Sequence, residues 1–124
     1  MTPDELRDRS RMFSLRIVKL YGALPKSVEA QVMGKQVLRS GTSVAANYRA
    51  ACRARSRAEF VSRLAIVVEE ADESSYWLGM IAEAGLFSAK KLQPLRQEAL
   101  ELTKIFSAAR NTSQRGKKSQ IGNH

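Results

Sequence analysis

Arginines are crowded into one short stretch of this sequence. Between residues 49 and 57 the chain has four arginines and no acidic residue: Arg49, Arg53, Arg55 and Arg57. Guanidinium groups repel one another, and their planar fork matches the geometry of phosphate. Small residues, including Ser40, Gly41, Ala45 and Ala46, come directly before them and allow another backbone to approach closely. The segment is therefore expected to contact both a packed helix and an anion.

No group of residues in the sequence predicts catalysis or metal binding. Glu69, Glu70, Asp72 and Glu73 are close in sequence, but di-iron bundles also need Glu-x-x-His pairs, and His124 is the only histidine. The single cysteine, Cys52, has no histidine partner in the body of the chain and is interpreted as a buried, inert thiol. We therefore expect the protein to have no catalytic residues, no metal site, no cofactor and no enzymatic activity. An enzyme with an unrecognised carboxylate site is the least favoured alternative.

Composition favours one basic domain with an anionic partner. The chain has 124 residues, a formal net charge of +9 and a pI of about 10.2, which is typical of proteins that bind nucleic acid. Its longest apolar runs, such as Leu64 to Val68, are too short to span a bilayer. The amino terminus mixes acids and bases before any apolar stretch, unlike a secretory signal. These features predict a cytoplasmic protein with no membrane role.

Four segments have helical periodicity, and none has convincing strand alternation. The first runs from about Asp4 to Ala23 and the second from about Val28 to Cys52. The third begins with a capping box at Ser56 to Glu59 and ends at Gly85. The fourth follows Ser88, although Pro94 favours a start nearer Gln93. We predict an all-α, up-down-up-down antiparallel four-helix bundle over residues 1–110 and a disordered, flexible basic tail over residues 111–124.

The second helix is predicted to have two faces. Small and apolar residues, from Met33 to Ala51, recur every three or four positions and should face the core. The opposite face carries a basic band, Lys35, Arg39, Arg49 and Arg53. The predicted nucleic-acid-binding set adds the following turn and the tail: Arg55, Arg57, Arg115, Lys117 and Lys118. Asn47, near the inward face, is expected to find a partner in Glu70 or Glu73 across the bundle.

The third helix has more apolar surface than one core stripe requires. A second band at helical spacing comprises Glu59, Arg63, Ile66, Glu70, Glu73 and Trp77. Large apolar side chains among charged residues suit a subunit interface, so Ile66 and Trp77 are predicted to contact another subunit. The alternative, that this band packs against a neighbouring helix of the same bundle, stays open.

One long stretch of the chain resembles a known family. Ser43 to Leu86, and especially Arg39-Ser40-x-x-Ser43-Val-x-Ala-Asn47-Tyr48 and Glu70-Ala-Asp-Glu73-Ser-x-Tyr76-Trp77-Leu78, resembles the 23S ribosomal-RNA intervening-sequence family of small four-helix-bundle proteins. The resemblance extends back to Gln36 and forward to Leu102. Members with the Asn-Tyr-Arg motif generally follow it with Glu, where this chain has Ala50. The change leaves more positive charge around Arg49.

The resemblance implies an assembly and a set of partners. It implies a ring-like homopentamer with no established enzymatic activity. Related bundle proteins act as accessory factors in diversity-generating retroelements, where a basic pentamer engages nucleic acid and a reverse transcriptase. The family name records where the reading frame lies, within an insertion in ribosomal RNA genes, and does not establish a function.

Two functions follow from these observations. The first is a non-catalytic, oligomeric nucleic-acid-binding or accessory protein, with RNA favoured over DNA by the resemblance alone. The second is a structural protein-protein interaction module whose basic surface meets an acidic protein. Phosphate binding weakens steeply with salt, so a salt series separates them.

Overall fold

Four helices joined by short turns make up the computed structural model, which describes residues 1–122 and the side chains of residues 1–116. The helices are α1 (Pro3–Ala23), α2 (Val28–Cys52), α3 (Arg57–Glu83) and α4 (Ala89–Gly122). No strand occurs in the described range. The all-α prediction is confirmed, and α2 has the predicted bounds.

Consecutive helices are neighbours in an antiparallel bundle. Helix α2 packs against α1 and α3, and α3 packs against α4, whereas α1 and α4 touch over a much smaller area. The up-down-up-down order places the start of α1, the α2–α3 turn and the later part of α4 together. We call this end of the bundle the α2–α3 end. Among the described residues, no helix has the length and apolar character needed to cross a membrane.

Side-chain caps define where the helices begin. Thr2, Ser27, Ser56 and Ser88 each accept a hydrogen bond from the backbone N–H three residues later. The predicted capping box is present in part. Ser56 Oγ accepts from the Glu59 N–H at 3.1 Å, but the Glu59 carboxylate accepts from the N–H of Arg55 at 3.2 Å, one residue before the cap.

Helix α4 follows Ser88, as the first reading of the sequence predicts. Gly85, at φ +70°, ends the preceding helix as expected, and α4 starts at Ala89 behind the Ser88 cap. The start near Gln93 is therefore wrong. Pro94 lies within the helix, where it removes one backbone hydrogen bond close to an exposed helix end, so water can solvate the freed carbonyl.

Helix α4 also extends past the predicted end of the bundle. It continues through residue 110 to Gly122, because residues 111–121 contain no Pro and a single Gly, Gly116, which a helix interior tolerates. The last part of the predicted tail, Asn123 and His124, lies outside the described residues. The division into a domain over 1–110 and a disordered tail over 111–124 stays a prediction.

The predicted inward faces form the core. Phe13, Ile17, Val44, Leu64 and Phe106 are among its fully or almost fully buried side chains. Helices α1 and α2 approach closely at Gly41, where an added Cβ would lie 2.7 Å from Ile17. Ser14 Oγ donates to the Gly41 carbonyl at 2.7 Å in the same contact. The small residues of α2 therefore serve close helix packing, as the sequence predicts.

Polar groups between α2 and α3 are paired differently from the prediction. Ser74 Oγ donates to Ser40 Oγ at 3.0 Å in the buried contact. The Asn47 side chain donates to the Ser43 carbonyl of its own helix at 2.9 Å. The expected pairing of Asn47 with Glu70 or Glu73 is wrong, because those carboxylates bind Arg39 instead.

Candidate nucleic-acid interface

The α2–α3 end brings arginines from two helices to one groove. Arg49 and Arg53 are exposed on the outer face of α2, one helical turn or about 6 Å apart. The antiparallel α1 places Arg7 and Arg11 opposite them. The α1–α2 groove has a volume of about 590 Å³ and is lined by Asp4, Arg7, Asp8, Arg11, Ala45, Ala46, Arg49 and Arg53.

A second groove lies on the other side of α2. This α2–α3 groove has a volume of about 380 Å³ and is lined by Ala46, Arg49, Ala50, Arg53, Arg55 and Glu59. Ala46, Arg49 and Arg53 line both grooves, so the two arginines stand on a ridge between them. Ala50 lies in the wall of the α2–α3 groove, which places the predicted departure from the family pattern beside the arginines.

The acidic residues near these grooves already have partners. Asp4 pairs with Arg7, and Asp8 pairs with Arg11 at 4.0 Å. Glu59 accepts a hydrogen bond from the Arg55 backbone. Arg49, Arg53 and Arg55 make no ion pair within the described residues, although Asp4, Asp8 and Glu59 line the same grooves.

Arg39, in the same predicted band, has a different environment. Its guanidinium donates to Glu70 Oε2 at 3.2 Å and to Glu73 Oε1. The hydrogen bond with Glu73 is the main cause that raises the Arg39 pKa, and the same bond lowers the pKa of Glu73. At Glu70, burial of the carboxylate raises its pKa more than the positive charge of Arg39 lowers it, so the pKa of Glu70 is raised overall. Arg39 therefore joins α2 to α3 and has less charge available for a ligand.

The basic band is consequently divided along α2. Lys35 is exposed but lies fourteen residues from Arg49, which is about 21 Å along a helix. The structure brings Arg49 and Arg53 together with Arg7 and Arg11 in one groove and with Arg55 in the other. It leaves Lys35 and Arg39 nearer the middle of the bundle.

Arg57 and the later part of α4 lie around a third cavity. Arg57, Phe60 and Ser113 are among the residues that line this space of about 510 Å³, and a Cβ added to Gly116 would lie 3.2 Å from Arg57 Nη1. Arg115 is exposed. Also on α4, the Nε of Arg110 is buried and has no hydrogen-bond acceptor within the described residues. The side chains of Lys117 and Lys118 lie outside the described residues.

Cys52 and Tyr48 lie in the wall of this third cavity. Cys52 is half-buried and packs against the core, so it is less buried than the sequence interpretation expects. Burial, followed by the neighbouring Cys52 thiol, raises the pKa of Tyr48. The Tyr48 ring packs against Phe106 with centroids 5.0 Å apart. Both residues act here as parts of the packed end of the bundle.

The two predicted interface residues lie on α3. Trp77 is half-buried and packs in part against the core of its own bundle, and its indole Nε1 donates to Glu73 at 3.3 Å. Ile66 is half-buried. Glu70 and Glu73, from the same band, face Arg39 of α2. Part of the band therefore packs within the bundle, and the contact with another subunit stays a prediction.

Sequence reasoning missed Arg7 and Arg11. They lie on a different helix from the basic band, and their proximity to Arg49 depends on the register of the α1–α2 hairpin. Two signals were available: their spacing of four residues, which places them on one helix face, and the short α1–α2 turn. Together these would have placed one face of α1 beside the carboxyl-terminal half of α2.

Fold and site together define a small antiparallel four-helix bundle with an arginine-rich surface at one end. The chain belongs to the 23S rRNA-intervening sequence protein family, whose family model matches residues 5–108. The predicted family resemblance is confirmed.

A solved structure supports the same assignment. It is the crystal structure, at 1.70 Å resolution, of a protein with unknown function from the S23 ribosomal protein family of Bacteroides thetaiotaomicron VPI-5482. That protein is 35% identical to this chain, the alignment covers 90% of this chain and 99% of the other, and the TM-score is 0.83. No curated protein gives a significant match.

Proposed function

We propose that this protein is a non-catalytic, oligomeric accessory protein that binds nucleic-acid phosphates through the α2–α3 end of its bundle. The observation that carries the proposal is a set of three arginines at two adjoining grooves. Arg49 and Arg53 line both grooves, Arg55 lines the α2–α3 groove, and none of the three makes an ion pair within the described residues. A guanidinium group that is not already in an ion pair can bind phosphate without first losing a carboxylate partner.

The surroundings of the arginines support phosphate contacts without base readout. The residues lining the α1–α2 and α2–α3 grooves include no aromatic side chain, so these grooves lack the stacking platform used by many single-strand binders. Phosphate contacts dominate affinity and carry no direct sequence information. The protein is therefore proposed to bind RNA or DNA with little sequence preference, RNA being favoured by the family association.

An oligomer would strengthen this binding. A ring of subunits, a pentamer by family resemblance, repeats the basic end and raises the effective concentration of the second and later contacts. The family association also supports a protein partner such as a reverse transcriptase. Arg57, Arg115, Lys117 and Lys118 are proposed as supplementary contacts, and Lys35 and Arg39 as weaker ones.

A second function has one observation in its favour. Met12, Leu15 and Val18 are large apolar side chains exposed along α1, and exposed apolar surface is typical of protein contacts. In this alternative the basic surface meets an acidic protein partner and has no nucleic-acid role.

The salt dependence of RNA binding tests the proposal. The logarithm of the binding constant should fall linearly with the logarithm of salt concentration, with a slope set by the number of phosphates contacted. A truncation that removes residues 111–124 should weaken binding less than changes at Arg49 and Arg53. Absence of RNA and DNA binding by the intact oligomer at low salt would reject the proposal and favour the acidic protein partner.

A further inference from the structure

The third cavity differs from the two grooves in the residues that line it. Each of the four helices contributes at least one of them, such as Arg7, Tyr48, Phe60 and Ser113. Its volume of about 510 Å³ is in the range of small-molecule sites. Both grooves include carboxylates in their lining, whereas the described residues that line the third cavity include none. The cavity shares only Arg7 with the grooves.

Two arginines and a helix end give this cavity its positive charge. Arg57 is exposed and makes no ion pair within the described residues. Arg7 pairs with Asp4 of its own helix, and such an exposed pair is weak enough for an anion to replace. Arg57 is also the first residue of α3. Its N–H and that of Ala58 make no hydrogen bond to a described residue, so the helix end adds partial positive charge.

Tyr48 contributes a buried hydroxyl to the wall of this cavity. The residue is only 4% exposed. Its hydroxyl lies beside the Cys52 thiol, which is a weak hydrogen-bond partner. It makes no hydrogen bond to a nitrogen or oxygen atom of the described residues. Because burying a hydroxyl without a strong partner costs free energy, an acceptor oxygen of a ligand in the cavity would stabilise it.

The same cavity has an apolar part. Ala51, Ala54 and Phe60 line it, and Phe60 is half-buried, so part of its ring is uncovered. Aromatic rings are stacking platforms for nucleic-acid bases, and neither groove has one. Donors for an anion and an aromatic surface in one cavity fit a ligand that carries both a phosphate and a base.

We propose that the third cavity binds a nucleoside monophosphate, either as a free nucleotide or as the phosphorylated end of a nucleic-acid strand. Arg7 and Arg57 bind the phosphate, and the Tyr48 hydroxyl donates to one of its oxygens. Phe60 packs against the base. A terminal phosphate carries more negative charge than a backbone phosphodiester, which suits two guanidinium groups beside a helix amino terminus. The inference goes beyond the proposed function, because neither arginine of the ridge lines this cavity.

Calorimetric titration of the intact protein with AMP tests this site. Arg57→Gln should weaken AMP binding about tenfold, because it removes a charged donor. Tyr48→Phe should weaken it about threefold to tenfold and keeps the ring that packs against Phe106, so the fold should persist. The matched control is Arg55→Gln, which removes the same charge from the same turn at a residue that lines only the α2–α3 groove. This control should change AMP binding by less than about twofold.

Two fragments of AMP separate the halves of the site. Ribose 5-phosphate lacks the base and adenosine lacks the phosphate, so each should bind at least about tenfold more weakly than AMP. Ribose 5-phosphate binding as tightly as AMP would overturn the assignment of Phe60 to a base. Adenosine binding as tightly as AMP would overturn the phosphate site.

Oligonucleotides distinguish the two sources of the ligand. A uridine oligonucleotide whose 5′-phosphate strengthens binding in an Arg57-dependent way would support the strand end, and AMP binding without such a gain would support the free nucleotide. No binding of AMP, or equal losses for Arg57→Gln and Arg55→Gln, would overturn the inference. RNA binding that persists in that case would leave the proposed function in place, since it depends on the ridge.

Discussion

The arginines of this bundle differ in what surrounds each guanidinium group. Arg9 is bound by Glu98 and Glu101 of α4 at 2.7–2.8 Å, and Arg39 is bound by Glu70 and Glu73 of α3. Arg49 and Arg53 have no such partner within the described residues. The first two arginines hold helices together, and the other two are available to a ligand.

The ion pairs of Arg9 with Glu98 and Glu101 predict how the stability of the fold depends on pH. The hydrogen bond from Arg9 is the largest influence on Glu98 and lowers its pKa below the ordinary value of 4.5. A carboxylate with a lowered pKa stabilises the fold above its unfolded pKa, and this contribution is lost as the pH falls through the folded pKa. The free energy of unfolding should therefore decrease below pH 4.5.

Glu98→Gln tests this assignment. It should lower the free energy of unfolding by about 1 kcal/mol near neutral pH, since the pair is partly exposed, and by much less in acid. Glu101→Gln is the matched control, because the Glu101 side chain is 48% exposed against 15% for Glu98. Urea unfolding at neutral and acid pH measures both effects. Equal losses for Glu98→Gln at the two pH values would contradict the assignment.

Single residues also show where sequence reasoning succeeds and where it stops. The inward positions of each helix follow from their spacing by threes and fours, and the structure confirms them. The partners of Arg39 and Asn47 do not follow, because they depend on how α2 is rotated against α3. The helical pattern identifies which side of a helix is polar but does not determine which charges meet across two helices.

At the scale of elements, the close approach of α1 and α2 fixes the α1–α2 groove. Gly41 allows this approach, since an added Cβ would lie 2.7 Å from two carbons of the fully buried Ile17. Ile17 is β-branched and enclosed, so it has little freedom to move aside. Gly41 therefore permits the close packing of α1 against α2 that lies beneath this groove.

Gly41→Ala should lower the free energy of unfolding by about 1–3 kcal/mol, because the added methyl group overpacks the core. Gly22→Ala is the matched control on α1, where an added Cβ meets nothing within 4 Å. That change should be neutral or stabilising by up to about 1 kcal/mol, because alanine is the better helix former. Urea denaturation compares the two, and a Gly41→Ala variant as stable as Gly22→Ala would refute close packing at this site.

The ends of elements were predictable where a specific residue marks them. Ser27, Ser56 and Gly85 mark helix ends in the sequence, and the observed bounds agree with them. Helix α4 starts after Ser88 as predicted, because the Ser88 cap outweighs the effect of Pro94 in the second turn. Its continuation past Arg110 lies in the segment predicted to be a disordered tail, whose residues include no Pro that would stop a helix.

At the scale of the whole molecule, the predicted oligomer requires a surface through which copies of the bundle contact one another. Ile66 and Trp77 are predicted to contact another subunit, and each is half-buried in the single chain. The Trp77 ring packs edge-on against the ring of Tyr76, with centroids 5.0 Å apart, and Tyr76 is exposed. These aromatic side chains suit an interface core, where such residues are enriched.

Trp77→Ala should reduce the native mass at low micromolar concentration, because it removes an aromatic anchor from the predicted interface. Leu100→Ala is the control, at an exposed apolar position on α4, and should leave the mass unchanged. Circular dichroism confirms that both variants are folded. A folded Trp77→Ala protein with unchanged mass would show that the interface lies elsewhere.

The central claim is that Arg49 and Arg53 bind nucleic-acid phosphates. The most direct measurement is RNA affinity across a salt series for Arg49→Glu/Arg53→Glu, compared with Arg16→Glu/Lys19→Glu, which reverses two exposed charges of α1 outside the grooves. The first double variant should remain folded, lose most RNA affinity and show a smaller salt slope, whereas the second should lose much less. Equal losses in the two variants, or unchanged affinity in a folded Arg49→Glu/Arg53→Glu protein, would contradict the claim.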